Sequence, residues 1–281
     1  MNLLFTSAGR RDYLIEYFAA APAGRGQIHV GNSEALCSAF TVGDAQVVTP
    51  PIDHEDYIPF LREYCRRACI NAILPLFDMD VCALAAAREE FAEDGVQVIG
   101  PSLEVAEACN DKWGTVEFLR AAGIRTPRTY LNPESALKGI AAGDVQFPLM
   151  VKPRWGMGSI GLMQAEDADE LGLLYKFACR RIFTSHLRPA SLAEPAAAVL
   201  IQERATGTEY GLDVLNNLNG EHVVTVAKRK LAMRGGETDI AITEDRQDLR
   251  ALGARLGALL RHRGNLDVDV FVDGTDVSIL E

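Results

Sequence analysis

The chain has 281 residues and a formal net charge of −11, with 48% hydrophobic and 24% charged residues, the profile of a globular protein. That length supports a large core and two domains or subdomains. The acidic balance excludes an extended basic surface for nucleic acid, and no apolar run reaches the ~20 residues needed to span a membrane.

The N-terminal stretch MNLLFTSAGRR places its charges after a very short apolar run, the reverse of a secretory signal. Six cysteines are widely spread; Cys65 and Cys69 lie one helical turn apart, but no second close pair completes a zinc set. Buried, reduced thiols are expected, and with them a cytoplasmic protein.

Residues 2–6 read as a buried strand ending at Ser7-Ala8-Gly9, followed by a helix with Tyr13, Leu14, Tyr17 and Phe18 on one face. Further strands are expected at 27–31, at Val47-Val48, at 72–77 and at 96–100. Asp56 stands where it would cap a helix burying Ile58, Leu61, Cys65 and Ala68, and another helix is expected over 84–91. Strands alternating with helices predict a doubly wound parallel α/β sheet over residues 1–100. Such sheets collect ligands at the carboxyl ends of their strands. Ser7, Arg10 and Arg11 after the first strand, and Asp78 after the fourth, are therefore candidate substrate contacts, the two arginines for an anionic group. The two arginines equally suit the solvated start of a helix.

Ser102 opens a helix running to Lys112-Trp113, a second covers 115–122, and 124–131 is extended. Asp167 and Glu170 form a capping-box-like start to a helix through Leu171, Leu174 and Phe177, and 186–197 reads as loop. Residues 199–203, 210–215 and 222–230 read as strands, and 249–263 as a helix ending at Gly264-Asn265. The chain closes with strands at 266–272 and 277–281 around a turn at Asp273-Gly274.

Between these elements lies FPLMVKPRWGMGSIGLM, residues 147–163: an apolar strand ending on Lys152, glycines at 156, 158 and 161, then a second apolar run. Glycines let amide groups approach phosphate oxygens and lysine adds a mobile positive charge, though a plain glycine hairpin fits the same letters. The glycines satisfy G-x-G-x-x-G, but a dinucleotide fingerprint should open a helix, and here the residues after Gly161 are strand-like. No P-loop is present either. The strand ending Gln202-Glu203 leads through Arg204 and Ala205 to Glu209, an arrangement able to offer main-chain groups to a base and a carboxylate to a sugar; an edge strand with solvated acids is the plainer alternative. Asp267 and Asp269 share one strand face, and the final hairpin brings Glu281 toward them. Such paired carboxylates suit Mg²⁺ (or Mn²⁺) on phosphate oxygens, or one polar face of an ordinary sheet.

Taken together, the Asp111-Lys112 pair before a helix, V-K-P with its glycine flap, Q-E-x-x-x-G-x-E-Y and the acidic strand followed by I-L-E resemble the ATP-grasp superfamily, in particular members similar to the carbamoyl-phosphate synthase large chain. The resemblance covers nearly the whole chain. It implies an N-terminal pre-ATP-grasp domain over 1–100 and a two-part α+β ATP-grasp domain over 101–281, with a lid at about 125–200 and a C-terminal part at 201–281. It implies that Lys112 and Lys152 contact ATP phosphates under a flap of Gly156, Gly158, Ser159 and Gly161. Gln202, Glu203, Arg204 and Ala205 would form the adenine hinge, Glu209 would hold the ribose, and Asp269 and Glu281 would be the metal ligands, Asp267 matching less well. Lys228, Arg229 and Arg234 resemble, more loosely, the basic segment near the transferred phosphate. Family members usually continue after this glutamate with I-N-P-R; the chain ends at Glu281, which suggests a truncation, a further tail or a split protein. The implied activity is ligation of a small carboxylate to an amine through an acyl phosphate, with ATP as co-substrate and Mg²⁺ (or Mn²⁺) as cofactor; separately from the resemblance, a homodimer is the default expectation for a soluble enzyme. The alternatives are a kinase-type phosphoryl transferase or a catalytically incomplete nucleotide-binding subunit.

Overall fold

The computed structural model describes residues 1–21, 26–156, 161–185 and 187–281. The chain divides into two compact units. The first takes Met1–Ala106 with Asn216–Glu221 and Ala258–Gly264; the second takes Glu107–Leu215, His222–Gly257 and Asn265–Glu281.

The first unit runs through β1 (Asn2–Thr6), α1 (Asp12–Ala20), β2 (Ile28–Asn32), β3 (Ala45–Val48), α2 (Tyr57–Arg67), β4 (Ile70–Pro75), α3 (Asp78–Ala86), α4 (Arg88–Glu93) and β5 (Gln97–Val98). Its strands form a parallel sheet in the order β3-β2-β1-β4-β5. Both faces are covered, which is why the strands read as apolar runs rather than alternating ones. Leu4 and Ile73 join Leu61 and Phe91 in one core, while Leu3 and Phe5 join Ile15 and Val30 in another. From β1 the order proceeds to β2 on one side and to β4 on the other, so the topological switch point lies at the carboxyl ends of β1 and β4.

The helices of this unit differ in detail from the expected pattern. On α1 the buried residue is Ile15, and Tyr13 and Tyr17 are 57% and 71% exposed. A tyrosine ring tolerates this because its hydroxyl stays in water. Asp56 occupies the N-cap position of α2 without a side-chain cap bond, and Tyr57 and Tyr64 complete the buried face while Ile58 is only partly covered. The helix expected over 84–91 is two helices separated at Ala87.

The chain continues through α5 (Leu103–Asn110), α6 (Lys112–Ala121), β6 (Thr129–Tyr130), α7 (Pro133–Ala141), β7 (Leu149–Pro153), β8 (Met163–Ala165), α8 (Ala168–Phe183), α9 (Arg188–Ser191), β9 (Val199–Glu203), β10 (Thr208–Asn216), β11 (His222–Arg234), β12 (Glu237–Glu244), α10 (Gln247–Leu260), β13 (Gly264–Asp273) and β14 (Asp276–Ile279). One sheet has the order β6-β9-β7-β8, with β7 and β8 antiparallel, Leu149 opposite Ala165 and Val151 opposite Met163. Leu171, Ala178 and Ile182 of α8 cover Leu149, Val151 and Ile201; Phe177 turns outward and is 47% exposed. At the start of α8, the Glu170 N–H donates to Asp167 Oδ1 at 2.9 Å, but the Glu170 carboxylate accepts from Glu166 N–H, one residue before the cap. The helix α7, absent from the expected pattern, is opened by Pro133 and capped by Asn132, whose Oδ1 accepts from Ser135 N–H at 2.8 Å.

The second sheet of this unit has the order β12-β11-β10-β13-β14. It includes β12, also unexpected, which pairs antiparallel with β11. Along β10 and β13 the alternation is clear: Leu212, Val214, Val268, Val270 and Val272 enter one core with Leu249 and Leu256 of α10 and Leu119 of α6. The residues between them, Glu209, Gly211, Asp213, Asp267 and Asp269, belong to the opposite face. Among the described residues, no helix is long and apolar enough to cross a membrane.

The approach of α10 to β11 depends on Gly253, where a Cβ would lie 2.3 Å from Thr225 Oγ1. In an open helix Gly→Ala is favourable by about 1 kcal/mol. Here Gly253→Ala is expected to lower stability by about 1–3 kcal/mol through overpacking, as read from the midpoint of a urea melt; a raised midpoint would contradict this contact.

Candidate functional site

The second unit holds a cavity of about 740 Å³ bounded by Lys112, the β7 hairpin, the end of β9, the β9–β10 linker, β13 and the last two residues of the chain. Its volume is that of a small-molecule site. Lys112, Lys152, Gly156, Gln202, Glu203, Arg204, Ala205, Glu209, Asp269 and Glu281 all line it.

Lys152, on β7, is only 7% exposed. Burial pushes its ammonium down to about 8; Lys112 adds to this, and Glu281 and Asp269 oppose it. Lys112 is the first residue of α6, and Asp111 caps that helix by accepting the Trp113 N–H at 3.0 Å. From there the Lys112 ammonium donates to the Gly156 carbonyl and stands 3.5 Å from Glu281 Oε2. One cation thus spans the hairpin and the acidic chain end.

The root of the hairpin is held by Arg154, a residue sequence reasoning missed. It is 5% exposed. Its guanidinium donates to both Asp111 oxygens at 2.6 Å and to Glu194 at 2.8 Å, and lies 4.4 Å from the centre of the Trp155 ring. A further backbone bond runs from Lys112 N–H to the Arg154 carbonyl. The fork geometry suits arginine specifically. The available signal was an arginine directly after the Lys-Pro pair and an aspartate directly before Lys112.

At the back of the cavity the side chain of Gln202 is buried and donates to Thr129 Oγ1 at 2.9 Å. Glu203 is engaged with Arg128 twice, through its carboxylate at 3.0 Å and its own N–H at 2.8 Å. These side chains hold β9 to β6, leaving 204–207 as the rim. That linker rides directly on β13: Gly207 has φ +96°, and a Cβ there would lie 2.2 Å from the Val272 carbonyl oxygen. Only glycine allows both the conformation and the approach.

The acidic end forms because the final hairpin stays in register. Asp269 N–H donates to the Glu281 carbonyl at 2.8 Å, and Leu280 N–H donates to the Asp269 carbonyl at 2.8 Å. Burial raises the Asp269 carboxyl, against the pull of its bond to Lys230. Asp267 shares the face without lining the cavity; burial raises it too, with Lys228 opposing.

Lys230 belongs to the basic run Lys228-Arg229-Lys230, which stands out against the acidic sequence, but sequence reasoning assigns a role only to its neighbours. Its side chain is 8% exposed and lies 2.6 Å from Asp269 Oδ1 and 2.8 Å from Glu209 Oε1. Burial alone would lower it, but these two hydrogen bonds hold its ammonium above the usual lysine range. The basic residues singled out around it are engaged elsewhere: Lys228 with Asp213 at 2.7 Å, Arg229 with Glu244 at 2.6 Å, and Arg234 with Asp239 at 2.9 Å. None of those three lines the cavity. Gly161 opens the return to β8, and Gly158 and Ser159 lie outside the described residues.

Asp269 and Glu281 offer hard carboxylate oxygens beside lysines that already neutralise them, a donor set that fits Mg²⁺ or Mn²⁺. Among the described residues, no group of three His, Cys, Asp or Glu side chains forms a metal site by itself.

Ser7, Arg10, Arg11 and Asp78 lie on the first unit, at the switch point, and are not among the cavity residues. Ser7 has φ +52°, and its hydroxyl donates to Asp80 Oδ2 at 2.9 Å. Asp80 is fully buried and also accepts from the Tyr57 hydroxyl at 2.7 Å; burial raises its carboxyl. Arg10 is exposed and Arg11 half-buried.

Residues 109–281 match the ATP-grasp domain family model, and residues 3–99 match the model of a PylC-like N-terminal domain. The carbamoyl phosphate synthase large chain of Rubrobacter xylanophilus is 27% identical over 265 residues, covering 84% of this chain and 24% of that protein. The chain thus spans about a quarter of that relative. The biotin carboxylase domain of the Hydrogenobacter thermophilus 2-oxoglutarate carboxylase, solved with MgADP, ADP and bicarbonate, aligns over all of this chain and 63% of its own with a TM-score of 0.78 and 16% identity. The N5-carboxyaminoimidazole synthetase of Staphylococcus aureus does so over all of this chain and 69% of its own, with a TM-score of 0.70 and 14% identity. These two structures share the fold.

Removing the Arg154 guanidinium strands Asp111 beside a buried surface. Arg154→Met is expected to cost about 3 kcal/mol, whereas Glu194→Gln, at a partner that is 58% exposed, should cost about 0.5 kcal/mol. Paired thermal melts distinguish the two, and equal losses would contradict the assigned roles.

Proposed function

The chain belongs to the ATP-grasp family, and from that premise we propose that it is an ATP-dependent ligase joining a small carboxylate to an amine. The observation that carries this reading is the convergence of Lys112, Lys152, Asp269 and Glu281 on one cavity edged by a glycine hairpin. ATP would lie with its base against 203–205, its ribose at Glu209 and its phosphates between the two lysines. Asp269 and Glu281 would hold Mg²⁺ or Mn²⁺, which when bound neutralises phosphate charge and orients the γ-phosphate.

In the reaction a substrate carboxylate oxygen attacks the γ-phosphorus, the bond to the β-phosphate oxygen breaks, and ADP leaves. The amine then attacks the acyl carbon; the carbon–phosphate oxygen bond breaks, phosphate leaves and the amine loses a proton. Lys112 and Lys152 contribute fixed positive charge along the phosphate chain, stronger in effect because Lys152 is out of water. The exposed Arg10 and half-buried Arg11 at the switch point of the first unit, with Ser7 and Asp78 beside them, are candidate contacts for an anionic ligand of that unit. A homodimer is the assigned assembly.

Hydroxylamine trapping tests the chemistry. With ATP, Mg²⁺ and a panel of amino acids and dicarboxylic acids, formation of a hydroxamate is expected. ADP release with a stable phosphorylated product and no hydroxamate would mean phosphoryl transfer to the acceptor instead. ATP binding without turnover would mean a nucleotide-binding subunit.

Lys152→Ala should abolish ATP turnover, with radiolabelled ADP formation as the assay. The lysine is charged below about 8 and neutral above it, and phosphates favour the charged form. ATP affinity is therefore expected to fall as pH rises through about 8, and this step should be absent from Lys152→Arg, which stays charged. Unchanged turnover in Lys152→Ala would overturn the reading.

A further inference from the structure

Against the face of the second sheet opposite its core, four lysines stand with five carboxylates: Lys228 is paired with Asp213, and Asp267 lies among them, acted on by Lys228 and Lys230. Lys230 bridges Glu209 and Asp269, Lys112 stands beside Glu281, and Lys152 is buried near both Asp269 and Glu281. The set is close to charge balance before any ligand enters. A divalent cation arriving alone would add charge to a nearly balanced cluster and displace an ammonium that already satisfies its ligand. A cation arriving with a polyanionic nucleotide would not, because the phosphates supply the missing negative charge and the remaining oxygen donors.

We infer that Lys230 is the resident counter-ion of the divalent site: its ammonium occupies Asp269 in the nucleotide-free protein and withdraws toward Glu209 when metal enters, so that divalent metal binds only together with nucleotide. The inference rests on the assignment of Asp269 and Glu281 as metal ligands given above. Three features support it. Lys230 has two carboxylate partners, so releasing Asp269 leaves its charge compensated by Glu209 at 2.8 Å. Its side chain is 8% exposed, so its charge acts on Asp269 with little screening by water. Beneath it lies Gly211, where a Cβ would stand 3.6 Å from Lys230 Cε, 3.7 Å from Lys228 Cε and 3.9 Å from Asp267 Oδ1; the lysine stem therefore crosses bare backbone at this position, with Lys228 and Asp267 as its neighbours. Lys230 is a positioning residue in this scheme and takes no part in the bond-making steps.

The test is Mn²⁺ binding to the full chain, measured by electron paramagnetic resonance of free Mn²⁺, with and without a non-hydrolysable ATP analogue. The wild-type protein is expected to bind Mn²⁺ at least about tenfold more tightly with the analogue than without it. Lys230→Met is expected to bind nucleotide-free Mn²⁺ at least about tenfold more tightly than wild type, the value of one charge-assisted hydrogen bond. Adding Asp269→Asn should remove that gain, and Lys230→Arg should behave as wild type. An unchanged nucleotide-free affinity in folded Lys230→Met would overturn the inference. If circular dichroism shows that variant unfolded, wild type decides: equal Mn²⁺ affinity with and without the analogue overturns the inference. Failure of both proteins to bind the analogue would instead remove the ATP reading, while a gain of Mn²⁺ affinity in Lys230→Met would still identify Lys230 as the counter-ion.

Discussion

The site depends on the two-residue period of β10 and β13. Val268, Val270 and Val272 commit one face of β13 to the core, and the same pleat commits Asp267 and Asp269 to the other. On β10, Leu212 and Val214 do the same for Glu209 and Asp213. A slip of one residue would bury the acids and expose the valines, so the hydrophobic core fixes the register of the charged face. The burial that follows is costly for lone charges, and β11 answers it with Lys228 and Lys230 from the neighbouring position in the sheet. Core and site are two sides of one pattern.

A second coupling joins the hairpin to α6. Asp111 caps the helix, receives Arg154 from the hairpin root, and precedes the lysine whose ammonium reaches the Gly156 carbonyl. Three kinds of contact, a helix cap, a bidentate ion pair and a long cationic tether, therefore meet within two consecutive residues. The glycine hairpin is attached to the rest of the unit through a buried polar joint, and its root cannot shift without disturbing the position of Lys112.

What could be read from the sequence follows from how local each signal is. The alternation of β13, the two strands on either side of the glycine stretch and the alternating strands and helices of the first unit are written in adjacent residues, and the structure has these strands and helices at those places. The apolar stripe of α1 was misjudged because Tyr13 and Tyr17 fit a helical period yet face water, while the single buried position is Ile15. The strand β12 carries no strong sequence signal because Glu237–Glu244, read ETDIAITE, has acidic ends and only two isoleucines, both exposed, and pairing with β11 is what reveals it. Among the basic residues of β11, period-two geometry brings Lys228 and Lys230 to the acidic face and sends Arg229 to Glu244, and only the pairing of strands shows that Lys230 meets Asp269 while Lys228 meets Asp213. Arg154 was invisible for a related reason: its partners Asp111 and Glu194 are 43 and 40 positions away.

The close seat of Gly207 on the Val272 carbonyl bears on how this site can change over evolutionary time. The linker between β9 and β10 is four residues, 204–207. It is fixed at one end by the Glu203–Arg128 bonds and at the other by Gly207, with the Thr206 hydroxyl donating to Asp273 between them. A segment tethered this tightly has no slack to absorb an added or deleted residue. Divergence at this edge of the cavity is channelled into side-chain replacement at Arg204 and Ala205, where a drifting lineage can alter what the rim touches while the main-chain path stays constant.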